Sequence, residues 1–257
     1  MQNQQYHTRD CPKDRVVSLN LSTIKEAILD ILYPQNITCI LCRQRARDID
    51  DKGLCRACAD TLPIIAPPVC PKCGRPVEEE GVCVDCAYMH YHFDRAISVL
   101  HYTPEVRQLI HRFKYGGISY LSRTLGRWMA QAYKQRCDWE LDIILPVPLH
   151  PRRQRQRGFN QSALLARELG RYIDVPVKEN VLIRKKYTPA QAGLSKFQRM
   201  QNLRGAFEVR EPETVRGKSI LLVDDVFTTG STVDECSKVL LQAGAQRVYV
   251  ITLATGR

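Results

Sequence analysis

The sequence predicts an α/β fold, a mostly parallel sheet covered by helices, behind a small cysteine-rich N-terminal module. Three observations carry that expectation. From Phe93 onward, short apolar runs alternate with amphipathic helical segments, the signature of βα units. Eight of the eleven cysteines fall into four C-x-x-C pairs between positions 39 and 86. The run 221–232 reads as a buried strand that ends in two carboxylates and then passes through small hydroxylated residues into a helix. The 257 residues, 44% hydrophobic and 25% charged, are enough for one sizeable core and one small appended module.

Taken in order, residues 1–20 form a polar tail without the apolar core of a signal peptide, and no apolar run approaches membrane-spanning length. The chain is therefore expected in the cytoplasm, not as an integral membrane protein. Residues 21–36 hold one short helix: Thr23 and Glu26 make a capping box, Ile24, Ile28, Ile31 and Leu32 share a face, and Pro34 stops it.

Residues 37–90 then supply Cys39/Cys42, Cys55/Cys58, Cys70/Cys73 and Cys83/Cys86. Each pair offers two thiolates from a tight turn, and two pairs complete a closed tetrahedral four-thiolate zinc site. Spans of twelve and nine residues between pairs suit two consecutive zinc ribbons, although interleaved pairing also satisfies the spacing. Five prolines and little apolar material leave the segment dependent on metal for folding. Redox catalysis by a C-x-x-C fits poorly, because no thioredoxin-like βαβ pattern surrounds any pair. Cys137 and Cys236 read as small buried hydrophobes, and Cys11 as part of the tail.

The large domain, 93–257, is expected to place strands near 94–102, 142–147, 181–183, 218–223 and 246–254, with helices near 104–114, 120–136, 160–173 and 231–243. Right-handed crossovers put the loops after 147 and 223 on one edge of the sheet. Ligands of such sheets bind outside the strands' carboxyl ends, and a helix N-terminus presents unpaired amides to a phosphate. Asp224 and Asp225 side by side would repel a polyphosphate but can accept hydrogen bonds from vicinal ribose hydroxyls. Thr228, Thr229, Gly230, Ser231 and Thr232 would take a 5-phosphate. Neither a Walker A loop nor a G-x-G-x-x-G turn occurs. The run, including Val226 and Phe227, resembles the PRPP-binding motif of type I phosphoribosyltransferases, which implies that fold for the domain.

Charge placement agrees with an anionic ligand. The formal net charge is +11. Arg152, Arg153, Arg155 and Arg157 crowd an acid-free stretch from Ile143 to Asn160, and residues 184–204 carry six cations without one acid. A solvated basic face is the bland reading of both clusters. The functional reading gives Arg152 and Arg153 to a pyrophosphate or to a nucleic-acid backbone, and the sequence leaves both open.

Residues Gln191, Leu194, Arg199, Asn202 and Phe207, with Phe113-Lys114-Tyr115-Gly116-Gly117, the zinc pairs and the 221–232 run, resemble the ComF family of late competence proteins over nearly all of 37–255. The resemblance implies a double zinc ribbon joined to a phosphoribosyltransferase-type domain, acting in uptake of transforming DNA at the cytoplasmic side of the membrane. It also implies a lid over 184–204 that brings Lys196 and Arg199 to the ligand. Lys114, Lys196, Arg199, Asp224 and Asp225 are then the catalytic set, with Mg2+ held largely by the diphosphate and ribose oxygens. Gln2 stands where glutamine-dependent amidophosphoribosyltransferases have a processed N-terminal Cys, so ammonia release from glutamine is not expected.

Three functions follow as expectations: PRPP/Mg2+ and single-stranded DNA binding in natural transformation, with a competence helicase or DNA-processing partner; a metabolic phosphoribosyltransferase with an unknown acceptor; and a non-catalytic zinc-dependent DNA-binding protein whose pocket senses a nucleotide. Tyr187, Phe159 and Phe197 lie among basic residues as stacking platforms or, equally, as core aromatics.

Overall fold

The computed structural model describes residues 38–116, 120–187 and 201–256. The expected tail, the 21–36 helix, Cys11, Gly117, Gln191, Leu194, Lys196, Phe197 and Arg199 lie outside the described residues. In chain order the elements are α1 (Arg56–Asp60), α2 (Val84–Tyr88), β1 (Arg95–His101), α3 (Pro104–Tyr115), α4 (Leu121–Arg136), β2 (Ile143–Pro146), α5 (Pro151–Arg157), α6 (Gln161–Ile173), β3 (Leu182–Arg184), β4 (Phe207–Val209), α7 (Pro212–Val215), β5 (Ser219–Phe227), α8 (Ser231–Gln242) and β6 (Arg247–Thr255).

Among the described residues the main sheet has four parallel strands in the order β1-β6-β5-β2. Its strands are apolar on both faces, as a parallel sheet between two helical layers requires. On one face Leu221, Val223, Tyr249 and Ile251 pack with Leu109, Phe113, Leu125, Met129, Leu165 and Leu169 of α3, α4 and α6. On the other, Ile220, Leu222, Val248 and Val250 pack with Val233, Cys236 and Leu240 of α8. Cys236 is fully buried, as a small hydrophobe should be, whereas Cys137 is only half-buried.

A parallel bridge from Ile144 to Val177 extends the sheet beyond β2. The chain thus leaves β2 outward through α6 to Val177, returns through the β3–β4 hairpin, and departs from β5 in the opposite direction through α8. The carboxyl ends of neighbouring β2 and β5 are therefore a topological switch point, where α/β sheets open a crevice.

The two ribbons sit on opposite faces. Cys39, Ile40, Leu41 and Leu54 of the first join the α3–α4 side, while Cys70 and Cys73 of the second join the α8 side. Between them, Ile65 N–H donates to Val99 O (3.0 Å) and His101 N–H to Pro63 O (2.8 Å), so the inter-ribbon segment covers the outer edge of β1.

Two expectations are corrected. The strand expected to stop at Val223 runs on through both acids to Phe227, because its pairing with β6 continues from Asp224↔Thr252 to Phe227↔Thr255. The arginine-rich stretch read as a loop contains α5, started by Pro151 and by His150 Nδ1 accepting from Arg152 N–H (3.2 Å), and ended by Gly158 at φ +86°. Because α5 buries none of its residues, it leaves no apolar period to read.

Candidate functional site

The switch-point cleft is lined by Asp224, Val226, Phe227, Thr228, Gly230, Ser231, Thr232 and Val233. The two acids are placed unequally. Asp224 is part-exposed, and its Oδ1 accepts from Ser162 Oγ and from the Asp225 amide, each at 2.9 Å. Burial, reinforced by the charge of Asp225, pushes its carboxyl up to about 7. Asp225 is only 5% exposed and pairs through Oδ2 with Lys114 Nζ at 2.9 Å. Burial alone would lower Lys114, but the adjoining Asp225 charge and hydrogen bond outweigh it and hold the ammonium above the ordinary lysine range. The last turn of α3 thus neutralises one acid from behind and leaves the other toward the cleft.

Ser162 was not anticipated from sequence. It sits in the first turn of α6, where Asn160 Oδ1 accepts from Ser162 N–H (3.1 Å) and Asn160 Nδ2 donates to Val147 O (3.1 Å). This Asn-x-Ser cap, legible as a helix start, ties the loop after β2 to Asp224.

Beyond β5 the chain turns at Gly230, whose φ of +75° and crowded surroundings demand glycine: a Cβ there would come within 2.7 Å of the Phe227 ring. Thr229 Oγ1 and Ser231 Oγ lie 2.8 Å apart at the start of α8. The result is a carboxylate facing a hydroxyl- and amide-rich turn across a narrow cleft, which suits a polyol carrying a phosphate.

Of the other expected site residues, Arg152 and Arg153 lie on α5 with their guanidiniums over the Tyr187 ring, 4.9 and 6.0 Å from its centroid. Arg157 lies 4.8 Å over Tyr115, on the helix that also carries Lys114. Tyr115 and Tyr187 are 64% and 42% exposed. Phe159 instead packs on Phe113 and belongs to the core.

The cysteines assemble consecutively. Cys39, Cys42, Cys55 and Cys58 form one cluster and Cys70, Cys73, Cys83 and Cys86 another, with all sulfurs of a cluster within 4.8 Å of one another. A tetrahedral zinc ion with Zn–S bonds of about 2.3 Å separates its sulfurs by roughly 3.8 Å. The Cys42–Cys55 and Cys73–Cys83 Sγ separations are 3.8 and 3.6 Å. Both tetrads fit structural zinc, and interleaved pairing is excluded. Among the described residues, no helix is long and apolar enough to cross a membrane.

Residues 28–87 match the family model described as a double zinc ribbon domain, and residues 121–257 match the phosphoribosyl transferase domain. The protein is thus of the class that joins a phosphoribosyltransferase-type sheet to a double zinc ribbon. It is 36% identical over 225 residues to Competence protein F of Haemophilus influenzae, covering 85% of this chain and 97% of that one. It is 35% identical over 217 residues to the DNA utilization protein YhgH of Salmonella typhimurium (82% and 94% covered) and 27% identical over 224 residues to Competence protein ComFC of Bacillus subtilis (81% and 90%). The chain belongs to the ComF family.

Proposed function

We propose that the protein binds PRPP with Mg2+ in the cleft at the end of β5 and contacts single-stranded DNA through the adjoining basic surface, in the handling of DNA during natural transformation. The observation that carries the ligand is the placement of Asp224, held by Ser162 and facing the turn 228–232. Asp224 accepts the ribose 2- and 3-hydroxyls, and the amides and hydroxyls from Thr228 to Thr232 take the 5-phosphate. Asp225 acts indirectly, through its ion pair with Lys114. The names of the relatives support the biological setting.

If pyrophosphate departs from the ribose C1, positive charge grows on the sugar and negative charge on the leaving group. Arg152 and Arg153 are proposed to meet the latter, with Lys196 and Arg199 joining them. Mg2+ bound with PRPP would neutralise part of the diphosphate charge, and Asp224 is the carboxylate that would hold it from the protein side.

For DNA, exposed Tyr115 and Tyr187 with their stacked arginines offer base platforms beside backbone cations. The test is calorimetry with PRPP and Mg2+ on the zinc-loaded protein and on Asp224→Ala. The alanine variant is expected to bind at least about thirtyfold more weakly, by about 2 kcal/mol for charge-assisted hydrogen bonds lost; equal affinities would remove the site. A parallel titration with single-stranded DNA should weaken steeply with salt, whereas a flat salt response contradicts backbone capture.

A further inference from the structure

The second zinc ribbon, with Tyr91 and His92 just after it, contacts the turn after β5 and the first turn of α8. Arg75, just after Cys73, donates from one guanidinium nitrogen to Asp85 Oδ2 (2.5 Å), between Cys83 and Cys86, and from another to the carbonyl of Thr228. Its guanidinium also lies 5.2 Å over the Phe227 ring. Tyr91, 3% exposed and stacked 5.0 Å from Phe93, donates its hydroxyl to the carbonyl of Thr229 at 2.9 Å. His92 N–H donates to Asp234 Oδ1 at 2.6 Å, and its Nδ1 lies 3.0 Å from the same oxygen, anchoring the first turn of α8.

A trans peptide unit points its N–H opposite to its C=O. Pinning the Thr228 carbonyl toward the ribbon therefore turns the Thr229 N–H away from it, and pinning the Thr229 carbonyl does the same for Gly230. Neither amide donates to a backbone carbonyl among the described residues. Both are therefore directed away from the ribbon.

We propose that Arg75 and Tyr91 are positioning residues for the phosphate turn, aiming the Thr229 and Gly230 amides so that the second zinc ribbon, unlike the first, is a working part of the sugar-phosphate site. This rests on the sugar-phosphate reading above. The first ribbon docks elsewhere: Arg112 donates to the Ile40 carbonyl and Arg127 to the Asp51 carbonyl (2.9 Å), both from helices on the opposite face of the sheet. The two cysteine tetrads fit the same metal, but among the described residues it is the second whose ribbon is joined to the turn after β5, through Arg75.

The experiment compares zinc-loaded wild type, Tyr91→Phe and Arg75→Gln, each confirmed to hold two zinc ions per chain. Calorimetry is run with ribose 5-phosphate and, separately, with inorganic pyrophosphate. Tyr91→Phe keeps the stacked ring and removes one hydrogen bond, so ribose 5-phosphate binding should weaken about three- to tenfold, and somewhat more for Arg75→Gln. Pyrophosphate, which uses the α5 arginines, should change less than about twofold, a selectivity that general loosening does not produce. Unchanged ribose 5-phosphate affinity in both variants, or equal losses for both ligands, overturns the inference. If wild type binds neither ligand, the sugar-phosphate reading fails by itself. The positioning claim is then decided by amide NMR of the ligand-free protein: displaced Thr229 and Gly230 resonances in Tyr91→Phe support it, and unmoved ones refute it.

Discussion

The two zinc ribbons are chemically alike and mechanically different. Both gather four thiolates from consecutive C-x-x-C turns, yet the first is fastened to α3 and α4 and the second to the turn that follows β5. Two like cysteine clusters are thus fastened to the helical layer at one end of the module and to the turn after β5 at the other. What decides the difference is which residues beside the thiolates reach across: Arg75 and Tyr91 approach the cleft, whereas Ile40 and Asp51 only receive arginines from helices.

The largest contrast should come from removing one ion at a time. Cys42→Ser and Cys86→Ser should each leave one zinc per chain, and both should lower Tm. Cys86→Ser is expected to weaken PRPP binding about hundredfold, because the ribbon that orients the turn unfolds. Cys42→Ser should leave it within about threefold. Equal losses would erase the distinction between the ribbons.

The ion pair behind the cleft comes next. Lys114→Ala strands the buried Asp225 carboxylate and is expected to cost about 3 kcal/mol in denaturant unfolding. The double replacement Lys114→Met/Asp225→Leu should recover most of that stability while leaving ligand binding impaired. A single variant as stable as wild type would show that the pair contributes little.

A smaller effect with the opposite sign belongs to Asp224. Its folded-state value of about 7 lies above its ordinary 3.8. The folded state therefore holds the proton more tightly, a stabilising contribution complete below about pH 4, lost as pH rises to about 7, and absent above. In the ligand-free protein Asp224→Asn should thus be more stable than wild type at pH 8 by on the order of 1–2 kcal/mol, after discounting for its partial exposure. The advantage should shrink toward pH 4. Measuring Tm across that range checks it, and an Asn variant less stable at pH 8 would contradict the burial of this carboxylate.

Much of the fold was legible because its signals are local. Apolar runs at 143–146 and 247–255, the Pro104 start of α3, and the cysteine spacing each specify an element within a few residues. The Asp224 cleft was legible for the same reason, since strand, acids, turn and helix are contiguous. Other features escaped, among them α5, the extension of β5, and the short β4 and α7. α5 has no buried face to announce it, and the strand's extension through the acids depends on pairing with β6, which local composition does not record. The supports of the cleft were also hidden. Ser162 meets Asp224 across 62 positions, and Arg75 meets Thr228 across 153. Sequence displayed the side chains that line the cleft, while those that hold them in place were fixed only by packing.

The most direct measurement is a crystal structure of the zinc-loaded protein soaked with PRPP and Mg2+. The account predicts an Asp224 oxygen within hydrogen-bonding distance of the ribose 2- or 3-hydroxyl and the 5-phosphate seated over residues 228–232, with Arg75 and Tyr91 still holding the Thr228 and Thr229 carbonyls. Density for PRPP elsewhere, or an Asp224 carboxylate that keeps only Ser162 and the Asp225 amide while the ligand is bound, would contradict it.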